Sequence, residues 1–319
     1  MRWRLTIGLL AGLAAMSCGL AAPKPPAATK PQLAFVDGGA IWTIQSDGMN
    51  RRRLTGTRNN TSPAWSRDGE QIVFIRGNRR GDFRGTLHRI PAAGGSPQKV
   101  VEGACWSPLW SPVKDELAYV RSERAGEPAG THIAFVDPNG RPTRPSVFHH
   151  SSRVIHGPLT RELCDWSRDG LRLSTQVELY FGFDIDGIKL TNTGFEPLVL
   201  SQPDPKIGRM YENNYHGWCP SDPDRDLLVR FVATQGLNHD LDIEVSVGPA
   251  GKQDRVVVAR PELQPRQNIL DSSLRASWSP DGREIAYESE GKIFITNVEN
   301  PKPRLLTTGS HPRWRPQAR

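Results

Sequence analysis

Two positions shortly before each of six tryptophans hold the residues of this sequence that could face one shared site. Counting back three residues from each tryptophan gives one set of equivalent positions: Ser62, Ser107, Leu163, Tyr215, Arg275 and His311. The next position along the chain gives a second set: Pro63, Pro108, Cys164, His216, Ala276 and Pro312. Most of these residues are small or apolar. Four of them break that pattern and are the candidate site residues: Tyr215, His216, Arg275 and His311.

The four candidates favour binding over catalysis. An arginine holds a carboxylate through two parallel hydrogen bonds, and a tyrosine offers a flat apolar face. General-base or metal-assisted catalysis needs at least two titratable groups around one substrate atom. The two histidines belong to different sets, which face opposite sides of a regular strand. We therefore predict one polar sector that binds a ligand or partner and contains no catalytic residue.

A long segment, 142–158, is the best candidate for a loop that joins this sector, because it contains His149, His150 and His156. Histidine-rich loops can bind metals, but no further ligand lies here at a recognised spacing. The nucleophile motif Gly-x-Ser-x-Gly does not occur in the sequence. The prediction is a partner contact at His149, with no metal and no other cofactor.

The tryptophans belong to a repeated unit that predicts a β-hairpin. In the best copy, Trp278 is followed by Ser-Pro-Asp-Gly and then by the apolar strand Ile285-Ala286-Tyr287. Proline presets the turn, aspartate accepts local N–H bonds, and glycine adopts the positive φ that reverses the chain. The tryptophans are separated by 45, 56, 52, 60 and 36 residues, which is typical of one four-stranded blade each. Asp186-Gly187 is expected to form a second turn of the unit, like Asp47-Gly48.

The repeat resembles that of TolB-type β-propellers. The likeness consists of the Trp-Ser-x-Asp-Gly hairpin, the Ile-Ala-aromatic strand and a closing Leu-Thr, as in Leu306-Thr307, and it covers most of 33–314. It implies an all-β, six-bladed propeller that is exported and serves as a binding platform. The copy around Trp218 departs most, because its turn is stretched over 221–224.

The two ends of the chain predict how the ring closes. The last copy stops just after Trp314, whereas the first strands, Leu33-Ala34-Phe35-Val36 and Ile41-Trp42-Thr43-Ile44, correspond to the second half of a unit. We therefore expect a composite blade with its inner strand from the C-terminus and its outer strands from the N-terminus. Such a blade leaves no free edge in the ring.

The N-terminus has the features of an export signal. Arg2 and Arg4 precede an apolar stretch, 5–16, that is too short to span a membrane as a helix of the mature protein. Small residues before Cys18 fit a lipoprotein signal, and cleavage near Ala22 is the alternative. We predict a signal peptide over 1–22 with lipidation at Cys18, a Pro-rich linker over 23–31, and one propeller domain over 32–319. The protein is expected in the periplasm or elsewhere outside the cytoplasm, anchored to the membrane by lipid.

Composition supports this class of protein. The net charge of +7 falls to +5 without Arg2 and Arg4, which is too small an excess to indicate a nucleic-acid partner. Beyond the signal, Cys105, Cys164 and Cys219 would enter an oxidising compartment. A disulfide between Cys164 and Cys219 is one alternative, and three small buried thiols are the other.

The predicted function is a non-catalytic binding or scaffolding module for an envelope protein or peptide. Two alternatives stay open. A carbohydrate-active enzyme resembling oligogalacturonate lyase would hold a metal with His216 and His311, joined by His156. A small-ligand sensor would have a deep pocket lined by Tyr215, Arg275 and His216 without metal.

Overall fold

The computed structural model describes residues 32–56, 59–77, 84–122, 131–147, 160–179, 182–191, 194–200, 211–233, 241–250, 252, 254–262 and 274–317. The chain divides into two units, Met1–Lys30 and Pro31–Arg319. The signal peptide, Cys18, the linker and His149 therefore lie outside the described residues. Every regular element within these ranges is a β-strand, so none of them is a helix able to cross a membrane.

Both ends of the second unit contribute to one antiparallel sheet, which we call the terminal sheet. Its strands are β1 (Leu33–Asp37), β2 (Ala40–Ile44), β3 (Arg52–Arg53) and β23 (Ser310–Trp314). Their order is β23-β1-β2-β3, and β23 pairs with β1 through Leu33 opposite Trp314 and Ala34 opposite Arg313. The C-terminal strand is thus the inner strand of a sheet whose other strands come from the N-terminal end, as the two chain ends predict.

A seven-stranded antiparallel sheet follows. Its strands are β4 (Asn60–Trp65), β5 (Gln71–Gly77), β6 (Gly85–Pro91), β7 (Gln98–Trp110), β8 (Leu117–Ser122), β9 (Thr131–Val136) and β10 (Pro142–Val147). The 13-residue β7 holds the sheet together. Its residues 98–105 pair with β6, and its residues 105–110 pair with β8.

Three four-stranded antiparallel sheets complete the chain. The first contains β11 (Thr160–Trp166), β12 (Arg172–Leu179), β13 (Gly182–Leu190) and β14 (Phe195–Val199). The second contains β15 (Tyr211–Trp218), β16 (Arg225–Ala233), β17 (Leu241–Pro249) and β18 (Val256–Ala259). The third contains β19 (Ala276–Trp278), β20 (Glu284–Ser289), β21 (Lys292–Asn297) and β22 (Arg304–Thr308).

The turn expected at Asp186-Gly187 is wrong, because both residues lie inside β13. Asp186 pairs with Val199 on one side and with Thr175 on the other. A Cβ atom at Gly187 would come within 2.9 Å of the Leu200 side chain. The glycine therefore provides room for a close approach within a sheet, which is the other common reason for a glycine in a strand.

The repeated Trp-Ser-x-Asp-Gly turn forms as its residues predict. Ser66 Oγ donates a hydrogen bond to Asp68 Oδ1 at 2.5 Å, and Gly69 has a φ of +69°. The turns at Ser167 and Ser279 repeat this pattern. The hydrogen bond from Ser66 lowers the pKa of Asp68, so this carboxylate is ionised at neutral pH and stabilises its own turn.

Apolar packing between the faces of neighbouring sheets closes the ring. On one face of the terminal sheet Ile41 packs near Phe74, and on the other face Phe35 packs near Ile293. A third cluster joins β4–β6 to β7–β9. A fourth joins β7–β10 to β11–β13. The fifth and largest runs from β11 and β13 through β15–β18 to β19 and β20. The cycle of packed sheets returns to its start, which confirms the predicted all-β propeller.

Candidate binding site at the channel mouth

A central cavity opens where six strands end. β4, β7, β11, β15, β19 and β23 each finish on a tryptophan. Residues from all six strands line a cavity of about 330 Å³, which we call the tryptophan mouth. Its aromatic lining is formed by Trp65, Trp110, Trp166, Trp218, Trp278 and Trp314. Cavities of about 300–1,000 Å³ accept small ligands or a few side chains of a partner.

Indole hydrogen bonds hold parts of this rim in place. Trp65 Nε1 donates to the backbone oxygen of Arg313 at 3.0 Å, which links β4 to β23. Trp278 Nε1 donates to the backbone oxygen of Gly217 at 3.2 Å, which links β19 to β15. Both tryptophans are buried. These two parts of the rim are therefore preformed, because each of the two rings is fixed by a neighbouring strand.

Positive charge predominates on the wall of the mouth. Its lining contains four arginines and one acidic residue: Arg67, Arg168, Arg313, Arg315 and Asp165. Arg315 forms an ion pair with Glu70 at 2.9 Å. Burial raises the pKa of Asp165, and its Oδ2 accepts the backbone N–H of Trp218 at 2.9 Å. The other three arginines have no carboxylate bound to them among the described residues.

Arg313 connects three inner strands at the base of the mouth. From β23, its Nη1 donates to Tyr215 Oη on β15 at 2.6 Å, and its Nη2 donates to the Cys164 backbone oxygen on β11 at 3.1 Å. The guanidinium carbons of Arg313 and Arg275 lie 5.5 and 5.7 Å from the centroid of the Tyr215 ring. Two cations thus lie close enough to the Tyr215 ring to interact with it, and burial raises the pKa of its hydroxyl.

Arg275 closes the channel below the mouth. It precedes β19, and its Nη1 donates to the Leu163 backbone oxygen on β11 at 3.2 Å. Its Nη2 forms an ion pair with Glu162 and approaches Ser107 Oγ on β7 at 3.4 Å. Burial lowers the pKa of Arg275, but the negative groups around it, of which Glu162 has the largest effect, together outweigh burial and the pKa is raised. The expected carboxylate partner of Arg275 is therefore found within the chain itself.

Little open space exists at this level of the channel. A second cavity of about 10 Å³ is lined by Arg275, His311, Arg313 and the Ser-Pro pairs at 62–63 and 107–108. That volume is about enough for one water molecule. Ser62, Ser107 and His311 have φ values of +52°, +46° and +55° at equivalent positions. Because a β-bulge lies there, residues from both equivalent sets face the same small cavity.

His311 lies beside a second half-buried acid, Glu288. Its backbone N–H donates to Glu288 Oε2 at 3.2 Å, and its Nδ1 lies 3.1 Å from Ser310 Oγ. Burial lowers the pKa of His311 to about 3 and raises the pKa of Glu288 to about 7. At neutral pH the imidazole is uncharged. Arg275 also lies close enough to Glu288 to oppose the increase in its pKa.

Replacing Glu288 by glutamine is expected to make stability less sensitive to pH. The pKa of Glu288 is about 7 in the folded protein, and the ordinary value of 4.5 applies in the unfolded chain. The folded state therefore binds this proton more tightly. The stability that this group contributes is therefore lost as pH rises from about 4.5 to 7. Glutamine keeps an acceptor for His311 N–H but does not titrate. Urea unfolding should show Glu288→Gln gaining about 1–3 kcal/mol relative to the parent between pH 5 and pH 8.

His311 makes the free energy of unfolding change with pH in the opposite direction, because its pKa is lowered in the folded protein. That contribution cancels when the two proteins are compared, because parent and variant both carry the histidine. A stability difference between parent and variant that is the same at pH 5 and pH 8 would contradict the assignment.

His216 lines neither cavity. Its side chain is fully buried, with Nε2 3.3 Å from Asp226 Oδ2 and its ring 4.6 Å from that of Trp218. Asp226 also forms an ion pair with Arg255 at 2.5 Å. Burial raises the pKa of Asp226, but its bonds to His216 and Arg255 outweigh burial and the pKa is lowered. No group of three or more histidine, cysteine or acidic residues placed to hold a metal occurs within the described part of the chain.

The structure thus brings together three of the predicted site residues and separates the fourth. Tyr215, Arg275 and His311 meet in the channel, His216 lies outside it, and His149 is outside the described residues. Sequence reasoning missed Arg313 and Asp165. Both occupy a third equivalent position, one residue before the tryptophan, and counting back one residue would have found them. Whether any of these residues binds a partner stays a prediction.

The disulfide considered between Cys164 and Cys219 is absent. Cys105, Cys164 and Cys219 are all buried, and none of them is in a disulfide bond. Cys219 Sγ instead lies 3.3 Å from Ser221 Oγ in its own turn. Burial raises the pKa of Cys164 to about 12, which makes it a poor nucleophile. The alternative of three small buried thiols is the correct one.

Comparisons with known proteins support the fold. No protein-family model and no curated protein matches the sequence. TolB from Acinetobacter baumannii matches over 90% of this chain and 67% of its own, with a TM-score of 0.63 and 14% identity. A chain from a nidogen–laminin complex matches over 89% of this chain and 98% of its own, with a TM-score of 0.58 and 11% identity. At these identities the likeness shows the fold alone, which is a TolB-like β-propeller.

Proposed function

We propose that this TolB-like propeller is an exported, non-catalytic module that binds a protein or peptide of the bacterial cell envelope through its tryptophan mouth. The observation that carries the proposal is the mouth itself, a preformed aromatic cavity of about 330 Å³ that is open to solvent. Arg275 closes the channel below it. A blind, preformed cavity suits a docking site better than a conduit, because little ordering entropy is lost on binding.

The ring has six blades in this proposal. The seven-stranded sheet counts as two blades that share β7, since β6 and β8 pair with different parts of that strand. The terminal sheet counts as the composite blade. Six inner strands that each end on a tryptophan support the count.

The internal bonds of the polar residues favour a non-catalytic role. The Tyr215 hydroxyl accepts from Arg313, Arg275 is paired with Glu162, and His216 is bonded to Asp226. A catalytic acid or base must instead reach a substrate atom. These three side chains are thus engaged in bonds within the protein, two of which join different blades.

The sequence features of the N-terminus support an envelope location. The predicted signal peptide over 1–22, lipidation at Cys18 and the linker over 23–31 would place the propeller outside the cytoplasm and close to a membrane. The nidogen neighbour was solved as a complex with laminin, which supports protein binding as one use of this fold. A small-ligand sensor is the second candidate, because the volume of the mouth also suits a small molecule.

Amide hydrogen exchange tests this proposal. A partner is captured from cross-linked envelopes with the full chain, and exchange of the purified protein is compared with and without it. Protection is expected at the strand ends around the mouth, in 64–69, 165–170, 277–282 and 313–317. Protection confined to the outer strands β10, β14, β18 and β22 would overturn the mouth as the docking site. Turnover of an acidic polysaccharide by the purified protein would overturn the non-catalytic role.

A further inference from the structure

Two exposed arginines at the rim of the mouth distinguish it from a plain aromatic cavity. Arg67 and Arg168 occupy the position two residues after their tryptophans. The other four units have proline there: Pro112, Pro220, Pro280 and Pro316. Arginine is therefore not required to form this part of the repeat. Both side chains line the cavity, and no hydrogen bond or ion pair holds either of them within the described residues.

The aspartates that directly follow these arginines in sequence are already hydrogen-bonded within their own turns. Asp68 and Asp169 accept hydrogen bonds from Ser66 and Ser167 and from the backbone N–H groups of Glu70 and Leu171. These bonds keep the aspartates on their own turns, outside the cavity lining. Asp169 is in addition paired with Arg172 at 3.4 Å. Arg67 and Arg168 therefore face the cavity without a carboxylate bound to their guanidinium groups.

Arg313 adds a third guanidinium deeper in the mouth. Its bonds to Tyr215 and Cys164 use two of the five N–H donors of a guanidinium, and they fix its plane relative to the cavity. Asp165 is the acidic residue on the lining, and its Oδ2 accepts the backbone N–H of Trp218. A fixed cation in a partly enclosed cavity acts more strongly on an anion than one in open water.

The aromatic rim sets the shape of the occupant. Six indole rings and four prolines line the opening and favour flat or apolar side chains. A cavity of about 330 Å³ holds a few side chains but not a folded domain. The occupant must therefore be a short segment or protruding loop rather than a whole globular surface.

We propose that the tryptophan mouth recognises an acidic peptide segment, in which a carboxylate next to an apolar side chain is held by Arg67 and Arg168 at the rim and by Arg313 deeper in the mouth. This inference rests on the proposed function and names the chemistry of its partner. Each carboxylate contact is charge-assisted, and the apolar neighbour packs on the indole rings. Recognition should weaken with added salt, because the rim arginines are exposed.

Peptide binding to the full chain tests the inference. The probe is a fluorescein-labelled acetyl-Glu-Trp-Glu-Ala amide, and the matched neutral probe replaces both glutamates by glutamine. Fluorescence anisotropy should give an affinity about tenfold higher for the acidic probe, since each exposed ion pair strengthens binding only about a few-fold. Arg67→Gln and Arg168→Gln should each weaken the acidic probe about threefold and leave the neutral one unchanged.

Arg141→Gln is the matched control, because Arg141 is exposed in a turn, lies outside the mouth and carries the same charge. It should leave both affinities unchanged. Equal affinity for the acidic and neutral probes, or no binding of either, would overturn the inference. So would an equal loss with Arg141→Gln, which would indicate a general charge effect. The exchange experiment with the captured partner is independent of this result, so the mouth could remain a docking site for a neutral segment.

Discussion

Deletion of residues 310–319 is expected to abolish cooperative folding of the ring. The deletion removes β23, and with it the pairing with β1 and the acceptor of the Trp65 indole N–H. It also removes Arg313, which connects β11 and β15. The lost interactions are comparable with the whole stability of a domain, about 5–15 kcal/mol. Thermal unfolding followed by circular dichroism should show no sharp transition, and light scattering should show association through the unpaired edge of β1.

Deletion of 317–319 is the matched control, because it shortens the same end but leaves β23 intact. This shorter deletion should melt as the parent does. The closure of the ring by both ends would be contradicted by a 310–319 deletion that stays monomeric and melts at the parent temperature.

Replacement of Arg275 by methionine is expected to cost about 2–4 kcal/mol of unfolding free energy. The guanidinium joins β7, β11 and the segment before β19, and its side chain is 3% exposed. Methionine fills similar space, but it leaves the carboxylate of Glu162 without its cation in a site that is only 14% exposed. Loss of one partner of a buried pair costs more than loss of both. Urea unfolding at pH 7 measures the effect.

The double variant Arg275→Met, Glu162→Gln should recover part of the loss, since the uncompensated carboxylate is gone. A cost below about 0.5 kcal/mol for Arg275→Met alone would show that the arginine does not join the strands. In that case Arg275 would again be a candidate for direct contact with a ligand.

Local chemistry made much of the fold predictable from the sequence. The Trp-Ser-x-Asp-Gly turns form because serine, aspartate and glycine complete each turn within a few residues, as at Ser66, Asp68 and Gly69. The strand that follows each turn is read from its apolar alternation, as in β20. The pairing of β23 with β1 was predictable because half of a repeat unit is present at each end.

The site was less predictable because its bonds join distant parts of the chain. Arg275 reaches Ser107, 168 residues away in sequence, and no local pattern encodes that distance. A bulge three residues before each of several repeated tryptophans also altered which side chains face the channel, so the rule of alternation failed there. His216 lies outside the channel because its side chain is bonded to Asp226 in the next strand, a partner that no local pattern encodes. Asp186-Gly187 shows the converse error, in which a turn dipeptide occurs inside a strand.

The most direct test of the mouth as the docking site is photo-crosslinking in living cells. A photoreactive amino acid is placed at Gln317, which is exposed and lines the mouth, and in a second strain at Leu305, which is 58% exposed on the outer strand β22. Irradiation should yield a covalent adduct with an envelope protein from position 317 and none from position 305. Adducts from position 305 with none from position 317 would contradict the account.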